Sequence, residues 1–266
     1  MIAALRKLLG RSQPAPAAAI PEGQRAYAIG DIHGRADLLA ALIAAIDAED
    51  AAAPRAQTLC ILLGDLIDRG ADSAGVLALA QQWGQRRPLR ILMGNHEEML
   101  LGALDNVDTL RHLLRHGGRE TVLSFGVDPQ TYGEATYDEV QAMLHAFIPA
   151  ETIAFIRSFE KSVTLGDYHF VHAGIRPGVA LADQREEDLR WIREPFLSSL
   201  EAHGAVVVHG HTISAEPVLR HNRIGIDTGA YESGRLTALG LEGSQRWLLE
   251  ACMNEDGAIT VERRAA

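Results

Sequence analysis

Residues 25–50 read RAYAIGDIHGRADLLAALIAAIDAED. A strand-like apolar run stops at Gly30, a short polar cluster follows, and apolar residues then recur at helical spacing. The same order returns twice. TLCILLG ends at Gly64 and leads, after GDLIDRG, into the helical SAGVLALAQQWGQ. LRILMG ends at Gly94 and leads into GNHE. A β-α-β-α-β order predicts a parallel sheet with right-handed crossovers.

From Glu97 to about Phe159 the pattern is helical, in the segments EEMLLGALD, DTLRHLLRHGG, YDEVQAMLHAF and AETIAFIRSFE. Gly117-Gly118 and the segment 126–129 break them. The second half returns to strands: KSVTLGDYHFVHAG, AVVVHG, EPVLRHNRIGIDTG, RLTALGLE, RWLLEACM and AITVERR. Short turns at HNR and ESG predict hairpins. Together these elements predict two stacked sheets with helices outside.

The chain has 266 residues, 47% of them apolar, enough to fill a sizeable core. Its formal net charge of −10 disfavours a nucleic-acid binder, which needs a basic face. Local charges or metal ions still permit phosphorylated substrates. Lysine occurs only at Lys7 and Lys161, so arginine carries nearly all the positive charge. The two cysteines, Cys60 and Cys252, form no disulfide framework, and a cytoplasmic, reducing compartment is expected. No run reaches the ~18 apolar residues of a membrane span, and no stable membrane association is expected. Residues 1–24, with their Pro/Ala stretch, read as a flexible leader, and Arg6 and Lys7 interrupt the apolar run that a secretory signal needs.

The polar residues at the strand ends carry the chemistry. In a parallel sheet the C-terminal strand ends share one edge, where ligands bind. Asp31, His33, Asp65, Asn95, His172 and His211 are therefore expected to meet there. This mixed oxygen and nitrogen set suits manganese, iron or zinc better than calcium or magnesium. Six groups exceed the needs of one ion and a carboxylate can bridge, so two divalent metal ions are expected, manganese first among them. Alone, each motif is a turn or a helix cap as readily as a ligand. Five in this order, each at a strand end, point to a site.

The blocks GDIHGR, GDLIDRG and GNHE resemble the three signature blocks of the PPP-type metallophosphoesterases, which have the calcineurin-like fold. The later VHAG, WIRE, HGHT and IDTGA resemble its bacterial and phage-lambda-type serine/threonine protein phosphatase branch. The resemblance covers roughly residues 25–240 in block order. It implies an α/β domain over residues 25–266, a four-layer αββα sandwich of two sheets flanked by helices. It implies that Asp31 and His33 bind one metal, that Asp65 bridges, and that Asn95, His172 and His211 bind the second. His96 resembles the general acid and Asp68 its orienting carboxylate. Arg69 and Arg193 resemble the arginines that grip phosphate, with Asn95 beside them.

The implied reaction is direct attack on phosphorus by a hydroxide held between two metals, a strong nucleophile near neutral pH. Arginine forks match phosphate oxygens, and a proton donor is worth about 10²–10⁴-fold with a poor leaving group. The substrate expected is a phosphorylated protein, with a symmetrical dinucleoside polyphosphate such as diadenosine tetraphosphate as the alternative and a non-catalytic binding module behind both. Met93 departs from the pattern, since many relatives in the resembled family carry a phosphate-contacting arginine there. Arg35 is a partial substitute on this reading, or else a surface residue at the helix start.

Of the eleven histidines, His112 and His116 are spaced for a helix face and read as solvated. His209 is placed behind His211, and His145, His169, His203 and His221 read as ordinary surface or strand positions. Glu97 and Glu98 read as a helix start. Gly117–Arg119 is expected to end one helix and begin the next. The helical segment 99–160 is the natural place for substrate selection.

Overall fold

The structure is a computed structural model and describes residues 17–266. The expected leader falls mainly on residues 1–16, outside the described residues. Ala18, Ala19 and Ile20, which the sequence reading gave to the leader, are packed against the domain, and Gln24 already opens the first strand. Ile20 is buried, its N–H donates to Gly243 O at 3.0 Å, and Ala19 N donates to the Asp167 carboxylate at 2.9 Å.

Strands β1 (Gln24–Ile29), β2 (Gln57–Leu62) and β3 (Leu89–Ile91) pair in parallel as predicted. Helices α1 (Ala36–Ala52) and α2 (Ser73–Arg86) make the crossovers. Alternation along these strands splits their side chains between two cores. Tyr27, Ile29, Cys60 and Leu62 face the helices, where α1 contributes Leu38, Leu39, Leu42 and Ile46. Ala26, Ala28 and Ile61 face the second sheet. Both faces of β1 are therefore covered, which explains its unbroken apolar run.

Three antiparallel strands complete the first sheet: β9 (Arg235–Glu242), β10 (Gln245–Met253) and β11 (Ile259–Ala265), in the order β11-β10-β9-β1-β2-β3. The second sheet runs β4-β5-β6-β8-β7, from β4 (Val163–Leu165), β5 (Tyr168–Phe170), β6 (Val206–His209), β7 (Val218–Leu219) and β8 (Arg223–Gly225). Here β5, β6 and β8 are parallel. Tyr168, Phe170, Val206, Val208 and Ile224 fill the space between the sheets, against Leu239, Leu241 and Leu248. The fold is a two-sheet sandwich flanked by helices. Its second outer layer is thin, consisting of the short α9 (Glu186–Trp191) and the chain after it, which bury Leu189, Ile192 and Phe196.

HNR turns between β7 and β8 as an antiparallel hairpin. The ESG expectation does not hold. Those residues end the one-turn helix α10 (Ala230–Ser233), which carries the chain from β8 in one sheet to β9 in the other. The true hairpin partner of β9 is β10.

Between β3 and β4 lie six helices: α3 (Asn95–Ala103), α4 (Val107–Leu113), α5 (Arg119–Ser124), α6 (Pro129–Glu134), α7 (Tyr137–Phe147) and α8 (Ala150–Arg157). Helix α7 opens on a reciprocal cap, with Thr136 N donating to Glu139 Oε2 at 2.7 Å and Glu139 N to Thr136 Oγ1 at 3.4 Å. Helix α6 escaped the sequence reading because it buries nothing and so has no apolar period. Among the described residues no helix is long and apolar enough to cross a membrane.

Candidate metal centre and active site

Each parallel strand of both sheets runs out toward one polar residue at a shared edge. These are Asp31 after β1, Asp65 after β2, Asn95 after β3, His172 after β5, His211 after β6 and Asp227 after β8. All six are buried, as is His33. Desolvating polar groups is unfavourable unless each finds a partner, so such a concentration demands a compensating ligand or network.

The backbone here is strained. Among the described residues, the non-glycine positions with positive φ are His33 (45°), Asp65 (51°), Asp68 (72°), Arg69 (67°) and His211 (62°). Every one was a site residue by sequence. Left-handed backbone costs about 1–3 kcal/mol at such residues and persists where surroundings enforce it. The enforcement is visible: Ile32 N and His33 N both donate to Asp65 O, at 3.1 and 2.9 Å, and Arg69 N donates to Gly117 O at 3.0 Å. Close approach also requires Gly64, at φ +99°. A Cβ there would meet Gly94 N at 2.7 Å and His172 Nδ1 at 2.9 Å.

Glu97 holds the β2 loop. Its carboxylate accepts from Asp65 N and Gly94 N at 3.0 Å each, and from Leu66 N at 2.7 Å. Burial, then the nearby Asp65 charge, push its pKa up to about 7, and these N–H bonds oppose the rise. The sequence reading placed Glu97 correctly at a helix start but missed this role.

The hydrogen bonds of the histidines show which ring nitrogens are free. His33 Nδ1–H donates to Ile67 O at 2.7 Å, which leaves Nε2 as a bare lone pair 3.6 Å from Asp65 Oδ2. His172 Nδ1–H donates to Leu63 O at 2.9 Å, and its Nε2 lone pair faces Asn95 Oδ1 at 2.9 Å and Asp65 Oδ1 at 3.5 Å. His211 Nδ1 lies 2.8 Å from the same Asn95 oxygen, while its Nε2 is buried without a partner. Asp31 Oδ2 accepts from His211 N at 2.9 Å, and its Oδ1 is also buried and unpartnered. Carboxylate oxygens and imidazole lone pairs converging in this way fit cations.

Two groups have ligand atoms within 4.8 Å of one another, His33/Asp65/His96 and Asp65/His172/His211, sharing Asp65. His96 is already committed, with Nδ1 2.7 Å from Asp68 Oδ2 and Nε2 3.1 Å from Arg69 Nη2. Asp31 Oδ1, by contrast, is buried and uncommitted.

Electrostatics agree with this division. Burial drives His33 and His211 down to about 3 and lowers His172, so their imidazoles are neutral and able to ligate. Burial alone would raise Asp65, but the ring of imidazoles around it, of which His96 is the one suited to carry charge, holds its carboxyl below the ordinary range. Burial, then Asp227 and Asp65, raise Asp31. His96 moves the other way from its neighbours. Burial lowers it, yet Asp65 and Asp68 together raise it above the ordinary value. It is the one imidazole here suited to carry a proton.

Arg69 lies half-buried over the Tyr231 ring, with Cζ 4.8 Å from the ring centroid. Tyr231 also meets the His33 ring edge-on at 5.5 Å. Arg193 is exposed at the rim, and its charge contributes to lowering His211. Arg35 does not serve as the substitute for an arginine at Met93. Its guanidinium is held by Asp37 at 2.7 and 2.8 Å and by Ala230 O at 2.9 Å. Met93 is a core residue. His209 is turned to Gly210 O and Arg223 rather than to any ligand. His112 and His116 stack on each other at 4.3 Å with no acid joining them.

Sequence reasoning left Asp227 and Tyr231 without roles. Asp227 accepts from Gly229 N at 2.9 Å, and burial pushes its pKa up to about 6. IDTGA marked its place, but only the two-sheet topology brings β8 beside β1's exit.

A profile of the calcineurin-like phosphoesterase family matches residues 25–235. The chain is 29% identical over 265 residues to the symmetrical bis(5'-nucleosyl)-tetraphosphatase of Janthinobacterium sp. (strain Marseille), covering 81% of this chain and 92% of that one. It is 28% identical over 220 residues to serine/threonine-protein phosphatase 1 of Salmonella typhimurium, covering 79% and 89%. The solved structure of a candidate diadenosine tetraphosphatase superposes with a TM-score of 0.59 at 18% identity, covering 93% and 98%. At that identity the likeness concerns the fold.

Proposed function

Since the chain belongs to the calcineurin-like metallophosphoesterase family, we propose that it hydrolyses phosphomonoesters of alcohols, with phosphoserine and phosphothreonine proteins as the substrate class. The observation that carries this is the buried Asp68–His96 pair at 2.7 Å. An alkoxide is a poor leaving group and gains about 10²–10⁴-fold from a positioned proton donor. A phosphate leaving group, with its second ionisation near pH ~6, has far less need of one.

Asp31, His33 and Asp65 would hold one divalent cation, and Asp65, Asn95, His172 and His211 a second. Manganese is proposed first, with iron or zinc also compatible with this donor set. When bound, such ions neutralise phosphate charge and make water a nucleophile near neutral pH. Arg69 and Arg193 grip phosphate oxygens from two sides. Arg69 donates to His96 Nε2 in the structure. Drawing Arg69 onto a phosphate oxygen frees that nitrogen to hold the proton. Asp68 keeps the opposite nitrogen protonated and the ring aimed. His96 then delivers its Nε2 proton to the departing oxygen.

Met93 favours a second reading, hydrolysis of symmetrical dinucleoside polyphosphates. An apolar side chain there leaves fewer cations around the scissile phosphate, and one of the relatives named above is a tetraphosphatase. Turnover with Mn²⁺ of a phosphoserine peptide and of diadenosine tetraphosphate separates the two. The first reading expects the peptide to be cleaved with the higher kcat/KM. Strong turnover of the dinucleotide alone would replace it with the second.

A further inference from the structure

The helical segment between β3 and β4 does more than cover the sheet. At its centre the chain passes from α4 through a wide turn (Leu114–Gly118) into α5, and this turn presses on the loop that carries Asp68 and Arg69. Arg69 N donates to Gly117 O at 3.0 Å. A Cβ on Gly117, which has φ +103°, would meet Arg69 N at 2.7 Å. One turn further, Thr121 is fully buried and its hydroxyl is a three-way node. It donates to Asp68 Oδ1 at 2.5 Å, accepts from Asp68 N at 2.9 Å, and pairs with Ser73 Oγ at 2.9 Å. Ser73, the first residue of α2, also accepts from Asp68 N at 3.0 Å.

Asp68 has two carboxylate oxygens. One is engaged by Thr121, and the other meets His96 Nδ1. Its backbone is in the left-handed region, at φ 72°, and its N–H is shared between the Thr121 and Ser73 hydroxyls. Two elements far apart in sequence therefore fix both the backbone and the rotamer of the carboxylate that aims the imidazole. We infer that Thr121, seconded by Ser73, is a positioning residue that orients the Asp68–His96 pair toward the leaving group. This rests on the reading of His96 as proton donor. Polar groups buried to this degree form a network whose members act together, so removing the node releases the carboxylate rather than one hydrogen bond.

The test compares two substrates of the full-length, metal-loaded protein: a phosphoserine peptide, whose leaving group needs a proton, and p-nitrophenyl phosphate, whose leaving group does not. Thr121→Val is expected to lower kcat on the peptide by roughly 10- to 100-fold more than on p-nitrophenyl phosphate, the span of a hydrogen bond to a charged group. Thr121→Ser, which restores a hydroxyl, is expected to return most of that difference. An equal loss on both substrates would overturn the inference, since a general structural defect does not discriminate leaving groups. His96→Asn separates the two layers. If it discriminates and Thr121→Val does not, the positioning role alone falls. If His96→Asn does not discriminate either, the proton-donor reading falls with it. Should Thr121→Val fail to fold, Ser73→Ala is read by the same ratio, with the same two outcomes.

Discussion

Glu97→Gln is a change of one atom in a buried carboxylate that organises the β2 loop. In the wild type, Oε2 accepts from Asp65 N and Gly94 N at 3.0 Å each, and Oε1 accepts from Leu66 N at 2.7 Å with a longer contact from Ile67 N at 3.4 Å. The amide is expected to keep its oxygen on the side with the two 3.0 Å bonds and turn its NH₂ toward Leu66 N. That orphans one buried donor, at about 1–3 kcal/mol, and reduces two charge-assisted bonds to neutral ones, at about 1 kcal/mol each. The sum is about 3–5 kcal/mol, a large part of the roughly 5–15 kcal/mol stability of a domain. At about 2–4 °C per kcal/mol for a protein of this size, the thermal midpoint should fall by roughly 6–20 °C. Circular dichroism melts of the metal-free protein measure it without interference from ligand binding. A midpoint within about 2 °C of wild type would refute the reasoning. It would mean that Glu97 is protonated in the fold, as burial favours, so that the amide merely replaces an acid of the same shape.

Other expectations are independent of this one. His96→Asn should lower kcat on a phosphoserine peptide by about 10²–10⁴-fold, with metal content unchanged by elemental analysis; full activity would remove the proton-donor assignment. Arg193→Ala should raise KM by about 10- to 100-fold, because the side chain is exposed and binds substrate rather than the fold; an unchanged KM with a lowered melting point would reassign it. Gly94→Ala would drive a Cβ into Asp65 Oδ1 and Asp65 N, so loss of bound metal by elemental analysis is expected, and retention of both ions would contradict the packing. Burial pushes the Cys60 thiol up to about 12, whereas Cys252 is partly exposed. At pH 8 a thiol reagent should therefore modify Cys252 in the native protein and reach Cys60 only after denaturation.

The strand-end residues were legible for a physical reason. A buried strand that stops at glycine and turns polar must place those polar groups at the sheet edge, and parallel pairing gathers such edges. Asp31, His33, Asp65, Asn95, His172 and His211 all follow that rule, and the structure brings them together around Asp65. The roles of Glu97, Tyr231 and Thr121 were not legible, because each depends on contact across the chain. Glu97 reaches back to a loop about thirty residues earlier, and Thr121 meets Asp68 and Ser73 from a separate helix. Their identities are ordinary for a helix start or a helix interior, so local pattern gives no warning. Arg35 failed for the converse reason. Its position in HGR suggested phosphate, but Asp37 two residues on captures the guanidinium. The ESG turn misled because a short loop between two strand-like runs implies a hairpin, whereas here it bridges two sheets.

The central claim is that two metal ions, sharing Asp65, make this edge an active site. Metal-stripped protein titrated with Mn²⁺ while hydrolysis of a phosphoserine peptide is followed tests it most directly. Negligible turnover is expected without metal, with a rise that saturates at two equivalents per chain. Undiminished turnover in the stripped protein, or saturation at a single equivalent, would contradict it.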